Sequence, residues 1–90
     1  MPYEVLFRAP ARRALSEELP ESVAIAAFEF CVEALASNPR RTGGRLDPPL
    51  EDYFSARRGT YRVIYSISED TSQVHVEWIG HRSHAYRPQG

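Results

Sequence analysis

Residues 54–68, Phe54-Ser55-Ala56-Arg57-Arg58-Gly59-Thr60-Tyr61-Arg62-Val63-Ile64-Tyr65-Ser66-Ile67-Ser68, and residues 73–81, Gln73-Val74-His75-Val76-Glu77-Trp78-Ile79-Gly80-His81, decide the fold class. In the first stretch Gly59-Thr60 is a tight turn between a short strand over 54–57 and a longer one over 61–68. The longer strand alternates, with Tyr61, Val63, Tyr65 and Ile67 on one face and Arg62, Ile64 and Ser66 on the other. The polar turn 69–72 leads into a third strand, where Val74, Val76 and Trp78 oppose His75, Glu77, Ile79 and His81. A three-stranded meander follows. Val63, Tyr65, Ile67, Val74, Val76 and Trp78 are expected to bury against helices, each contributing about 1.5–3 kcal/mol. The opposite face is expected to carry Arg62, Glu77 and His81, with Arg57, Arg58 and Arg82 at strand ends or turns nearby.

Upstream, residues 3–8 place Tyr3, Val5 and Phe7 on one side of a first strand, whose position in the sheet the sequence leaves open. Pro10 opens a short helix through Leu19, with Leu15 and Leu19 as its apolar stripe, and Pro20 ends it. The run 21–37 is the clearest helix. Val23, Ala27, Phe30 and Ala34 form one stripe, and Ala24, Phe28, Cys31 and Leu35 the adjoining one. Asn38-Pro39 stops it, because a residue before proline is pushed out of the helical region. Residues 39–52 hold Pro39, Pro48, Pro49, Gly43 and Gly44 together with Arg40, Arg41 and Arg45, and read as a long loop with little regular structure. The class is α+β: an N-terminal strand and two helices packed on an antiparallel sheet meander.

Ninety residues, 42% of them hydrophobic, suit one domain spanning 1–90 and lie outside the composition of disordered chains. The lone cysteine, Cys31, sits on an apolar helical stripe, so core packing is expected of it, and a reducing, cytoplasmic home fits. No stretch reaches the length of apolar residues that crosses a bilayer, so no membrane partner is expected. The net charge of −1 gives no bulk attraction for nucleic acid, but its distribution is uneven. Residues 1–39 carry three Arg and six acidic residues, while residues 40–90 carry eight Arg and six acidic residues. Every basic residue is arginine, a planar fork able to hold a phosphate through two hydrogen bonds.

The block Arg57-Arg58-Gly59-Thr60-Tyr61-Arg62-Val63-Ile64-Tyr65 and the terminal block Gly80-His81-Arg82-Ser83-His84-Ala85-Tyr86-Arg87 resemble the RelE/ParE superfamily of type II toxin–antitoxin toxins, on its RelE-like branch. The order of elements and the Asn38-Pro39-Arg40 helix stop agree, so the resemblance covers nearly the whole chain. It implies the RelE-like microbial ribonuclease fold. It also implies a ribosome-dependent mRNA endoribonuclease that inhibits translation without a metal or other cofactor, by attack of a 2′-hydroxyl on the adjacent phosphate. Its partners would be the ribosome, mRNA and a cognate RelB-like antitoxin, which would hold the toxin in a hetero-oligomer. By matching positions Arg62 would clamp the phosphate and Arg82 would assist. Tyr86 would stack on or orient the base or ribose, and His81 has the side-chain type whose ordinary pKa suits proton transfer near neutrality. Arg45, Arg57, Arg58 and Arg87 would add contacts to RNA.

The chain departs from the family pattern at Tyr53-Phe54-Ser55, where well-studied members carry lysines on the short strand. Either His81 or Arg57 takes the lysine's place, or catalysis is weak, or the fold serves another end. Two other functions stay open: inhibition of DNA gyrase by a ParE-like protein contact, and RNA or ribosome binding without catalysis. Structural roles stand beside the functional ones. Arg62 can pair with Glu77 across strands, His81 can cap the last strand, Arg57 and Arg58 can be a solvated turn, and Tyr86 can cover an apolar edge. His81 and His84 lack a third ligand for a metal.

Overall fold

The computed structural model describes residues 2–81. Strand β1 (Glu4–Phe7) leads into α1 (Ala9–Arg13), which continues through a wider turn over Ala14–Glu18; there the Leu19 amide donates to the Ala14 carbonyl at 2.9 Å. Helix α2 (Glu21–Phe30) likewise widens over Cys31–Leu35. Pro10 lies in the first turn of α1, where a missing N–H costs little, as expected. A further helical turn, α3 (Pro39–Thr42), precedes β2 (Gly44–Arg45), β3 (Phe54–Arg58), β4 (Tyr61–Ser68) and β5 (Gln73–His81). Residues 39–52 are therefore not all loop. Asn38 adopts an extended φ of −153° before Pro39, but the proline then restarts a helix instead of ending regular structure. Gly44 and Arg45 pair with Ser55 and Phe54.

The sheet has five strands in the order β1-β5-β4-β3-β2. β1 lies parallel to β5, with Val5 opposite Val74 and Phe7 opposite Val76, which places the first strand outside the expected meander. The turn joining β3 to β4 is closed by the pair Arg58 and Tyr61, and Gly59 takes a φ of +57°, the left-handed value that the first position of such a turn requires.

Helices and sheet meet over one core. Val63, Tyr65, Val74 and Val76 are fully buried beside Ala11, Ala14, Ala27, Cys31 and Leu35, whose small helical members let the layers approach closely. One core residue expected of the sheet is displaced. Tyr65 pairs with Val76 but Ile64 pairs with Trp78, so Glu77 is an extra residue in β5 and forms a bulge. Beyond it the alternation reverses. Ile79 enters the core, 1% exposed, and Trp78 turns to the opposite face, where strict alternation had put Ile79.

A polar link crosses this core. The Tyr65 hydroxyl donates to the Pro39 carbonyl at 2.7 Å, tying β4 to α3. Burial pushes the phenol up to about 12, against a smaller opposing pull from the Gly43 backbone. A phenol whose folded pKa exceeds its ordinary 10.0 contributes stability that is full below pH 10 and disappears as pH rises toward about 12. Tyr65→Phe is expected to cost about 1–3 kcal/mol at neutral pH by leaving the carbonyl unpaired. It should also flatten the loss of stability between those two pH values, which denaturant melts at stepped pH would measure.

At the outer edge the Tyr3 hydroxyl donates to Glu69 Oε1 at 2.8 Å and Arg40 Nε to Glu69 Oε2 at 2.7 Å. These bonds hold the Glu69 carboxyl below the usual carboxylate range and join the residue before β1, α3 and the β4–β5 turn.

Candidate nucleic-acid interface

Because directly opposed residues of adjacent strands share a face, the register states which arginines can act together. Arg57 of β3 pairs with Arg62 of β4, and Arg62 pairs with Gly80 of β5. All three occupy the sheet face away from the helices, since Ala56 and Val63, their neighbours in sequence, lie in the core. The Cβ atoms of such a pair are about 4.5–5.5 Å apart, and like charges placed so oppose each other. Arg57 is exposed. Arg62 is half-buried, its Nε is cut off from solvent, and among the described residues that nitrogen has no hydrogen-bond partner. Two cations are thus held side by side, one of them partly desolvated. The arrangement suits a shared anion.

The cross-strand partner expected for Arg62 looks elsewhere. Glu77, in the bulge, accepts from Ser66 Oγ at 3.2 Å and lies 3.8 Å from Arg8 Nε. The Arg62–Glu77 pair is therefore not what holds Arg62.

Other expected contacts divide between the faces. Arg58 stands opposite Tyr61 on the helix side, its guanidinium carbon 5.0 Å from the Phe30 ring centroid. Arg45 stands opposite Phe54, 5.3 Å from that ring's centroid. Both make cation–π contacts on the core side of the sheet, so neither shares a face with Arg57 and Arg62. His81 pairs with Tyr61, and the reversal at Glu77 sends it to the helix-side alternation at the end of β5. It is exposed there, not on the Arg62 face as strict alternation had put it. Arg82, Tyr86 and Arg87 lie outside the described residues.

Elsewhere the chemistry is quiet. Burial pushes the Cys31 thiol up to about 12, which leaves it a core residue rather than a nucleophile. Among the described residues no three His, Cys, Asp or Glu side chains gather as metal ligands, and no helix is long and apolar enough to cross a membrane. The outer side of α2 is apolar: Ile25, Phe28 and Val32 are 54%, 47% and 38% exposed. Phe28, expected in the core stripe, instead stacks on Phe7 with centroids 5.7 Å apart.

Sequence reasoning missed the bulge and the stacked arginines. The bulge had one signal, the adjacent apolar pair Trp78-Ile79, which a strictly alternating strand does not produce. The cation–π contacts had none, because Phe30 and Arg58 meet only through tertiary packing.

The chain is similar to known proteins over most of its length. The family model described as "ParE toxin of type II toxin-antitoxin system, parDE" matches residues 5–86. Toxin RelE of Mycobacterium tuberculosis is 44% identical over 86 residues, covering 96% of this chain and 88% of that protein. Toxin RelG of the same organism is 41% identical over 87 residues, covering 97% and 99%. Among solved structures, the M. tuberculosis toxin–antitoxin complex RelBE2 contains a chain that matches with a TM-score of 0.86 at 40% identity, covering 91% of this chain and 100% of that one.

Proposed function

The chain belongs to the RelE/ParE family of type II toxin–antitoxin toxins, and on that premise we propose that it is a ribosome-dependent mRNA endoribonuclease acting in the cytoplasm. The observation that carries this reading is the Arg57–Arg62 pair, two opposed cations on the sheet face away from the helices, with the Arg62 Nε desolvated and unpartnered among the described residues. Such a pair is relieved by a phosphodiester, whose two non-bridging oxygens share one negative charge and can each accept from a guanidinium fork. In the reaction the 2′-oxygen bonds to the adjacent phosphorus as the bond to the 5′-oxygen breaks. The 2′ proton leaves to a base, and the departing 5′-oxygen gains a proton. Charge grows on the non-bridging oxygens at the transition state, and preorganised cations lower that barrier most.

Arg62 is proposed as the principal clamp. Arg57 is the better placed of the two residues considered for the missing lysine's position, because it shares Arg62's face. His81 reaches the same phosphate only around the end of β5, and Arg82, Tyr86 and Arg87 enter by resemblance alone. Arg45 and Arg58, committed to aromatic rings on the other side, are left as secondary contacts.

The partner proposed to restrain this activity is a RelB-like antitoxin with an apolar and acidic segment. Its apolar part would cover Ile25, Phe28 and Val32, and its acidic part the arginine face, in a toxin–antitoxin hetero-oligomer. That the similar M. tuberculosis chain was solved in a toxin–antitoxin complex supports this.

Induced expression, with cellular mRNA read by primer extension, tests the proposal. New 5′ ends within translated codons are expected. The second reading, gyrase inhibition, draws on the matching family model's description as a ParE toxin. Intact mRNA with accumulated gyrase–DNA breaks would favour it.

A further inference from the structure

We propose that Trp78 is a stacking platform for a nucleobase, set beside the phosphate-holding arginines by the Glu77 bulge and by the absence of a side chain at Gly80. This rests on the RNA reading above and deepens it. The bulge alone puts an indole on the arginine face; without it Trp78 would point into the core and Ile79 outward. Gly80 then gives the ring its place. A Cβ on Gly80 would lie 2.3 Å from Trp78 Cζ2 and 2.4 Å from Cη2, so the indole lies across the backbone in space that any side chain would fill. Gly80 is also the direct cross-strand partner of Arg62. The aromatic ring therefore lies next to the guanidinium's strand position, partly exposed, with the Arg57–Arg62 pair on its β3 side.

A strand of RNA offers two things to such a surface, an anionic phosphate and a flat base. Proteins that hold single strands join cationic grooves to aromatic side chains, and stacking tolerates any base because every base has a π face. Here the two elements stand on adjacent strands, about 4.8 Å apart in the hydrogen-bonding direction, which suits the phosphate and the base of neighbouring nucleotide units. The competing role for Trp78 is a lid over Ile64, its cross-strand partner, which is 1% exposed on this face.

Trp78 is the chain's single tryptophan, so its emission reports the platform directly. The full-length protein is titrated at low salt with oligoadenylate and with an abasic ribose-phosphate strand of equal length, and binding is followed separately by anisotropy of labelled strands. Oligoadenylate is expected to quench the emission in step with binding. The abasic strand should bind roughly tenfold more weakly and leave the emission unchanged. Trp78→Leu should lower oligoadenylate affinity by about tenfold, to the level of the abasic strand, and Trp78→Tyr should recover most of it. Gly80→Ala, which displaces the ring, should resemble Trp78→Leu. Arg62→Ala should weaken both strands alike. Oligoadenylate binding without quenching, at the same affinity as the abasic strand, would leave the RNA reading standing and reduce Trp78 to a lid. Failure of either strand to bind the unaltered protein would overturn the platform, while the ribosome-dependent reading stands or falls on the primer extension above.

Discussion

Arg62→Ala is expected to abolish growth arrest and to slow mRNA cleavage on the ribosome by about 10²–10³-fold, the usual cost of removing one preorganised donor from a developing charge. The fold should not suffer. Arg62 holds a desolvated Nε with no partner among the described residues and faces Arg57, so its removal relieves both a lost hydrogen bond and a like-charge opposition. The melting temperature of the variant should match or exceed that of the parent chain. Loss of activity with equal or greater stability is the signature of a residue kept for its ligand. Arg62→Lys keeps the charge but loses the planar fork, and an intermediate rate is expected of it. Single-turnover cleavage and thermal unfolding on the same preparations measure the two sides. A variant that loses stability and activity together would make Arg62 a structural residue.

The second large effect concerns stability. A Cβ on Gly43 would lie 2.6 Å from the Ser55 carbonyl oxygen and 2.6 Å from the Tyr65 hydroxyl. The first contact is backbone and cannot swing away; the second would displace the hydroxyl from Pro39. Overpacking costs about 1–3 kcal/mol and a buried carbonyl left unpaired about as much again, so Gly43→Ala should lose roughly 2–4 kcal/mol. For a domain of this size that lowers the melting temperature by about 10–20 °C. Gly44, where an added Cβ meets nothing within 4 Å, is the control: Gly44→Ala should change stability little. Calorimetry of the two variants makes the comparison, and equal losses would remove the argument.

Much of the architecture was legible in the residues because local rules and tertiary demands agree there. Alternation along Tyr61–Ser68 marks β4, Gly59 marks the hairpin, and Pro20 and Asn38-Pro39 mark helix ends, each through a steric rule acting within a few positions. What was not legible depends on residues distant in sequence. β1 finds its place beside β5 across more than sixty residues, and the two-residue β2 has no periodicity to show. The bulge at Glu77 is a one-residue insertion whose consequence, the exchange of Trp78 for Ile79 in the core, depends on how β5 meets β4.

The candidate site was legible to the extent that resemblance supplied its residues. Geometry then separated them. Arg57 and Arg62 are brought together, Arg45 and Arg58 are taken to the opposite face by Phe54 and Phe30, and His81 is carried around with them by the bulge. A count of arginines in residues 40–90 could not reveal that division, because alternation is a statement about faces only when the register is known.

In the proposed reaction the Arg57–Arg62 face holds one phosphodiester while the neighbouring 2′-hydroxyl attacks it. The most direct measurement uses ribosomes programmed with an mRNA carrying a single 2′-deoxynucleotide immediately 5′ of the scissile phosphate. That position is expected to resist cleavage while the all-ribose message is cut to a 5′-hydroxyl fragment. Cleavage of both messages at the same rate would contradict it.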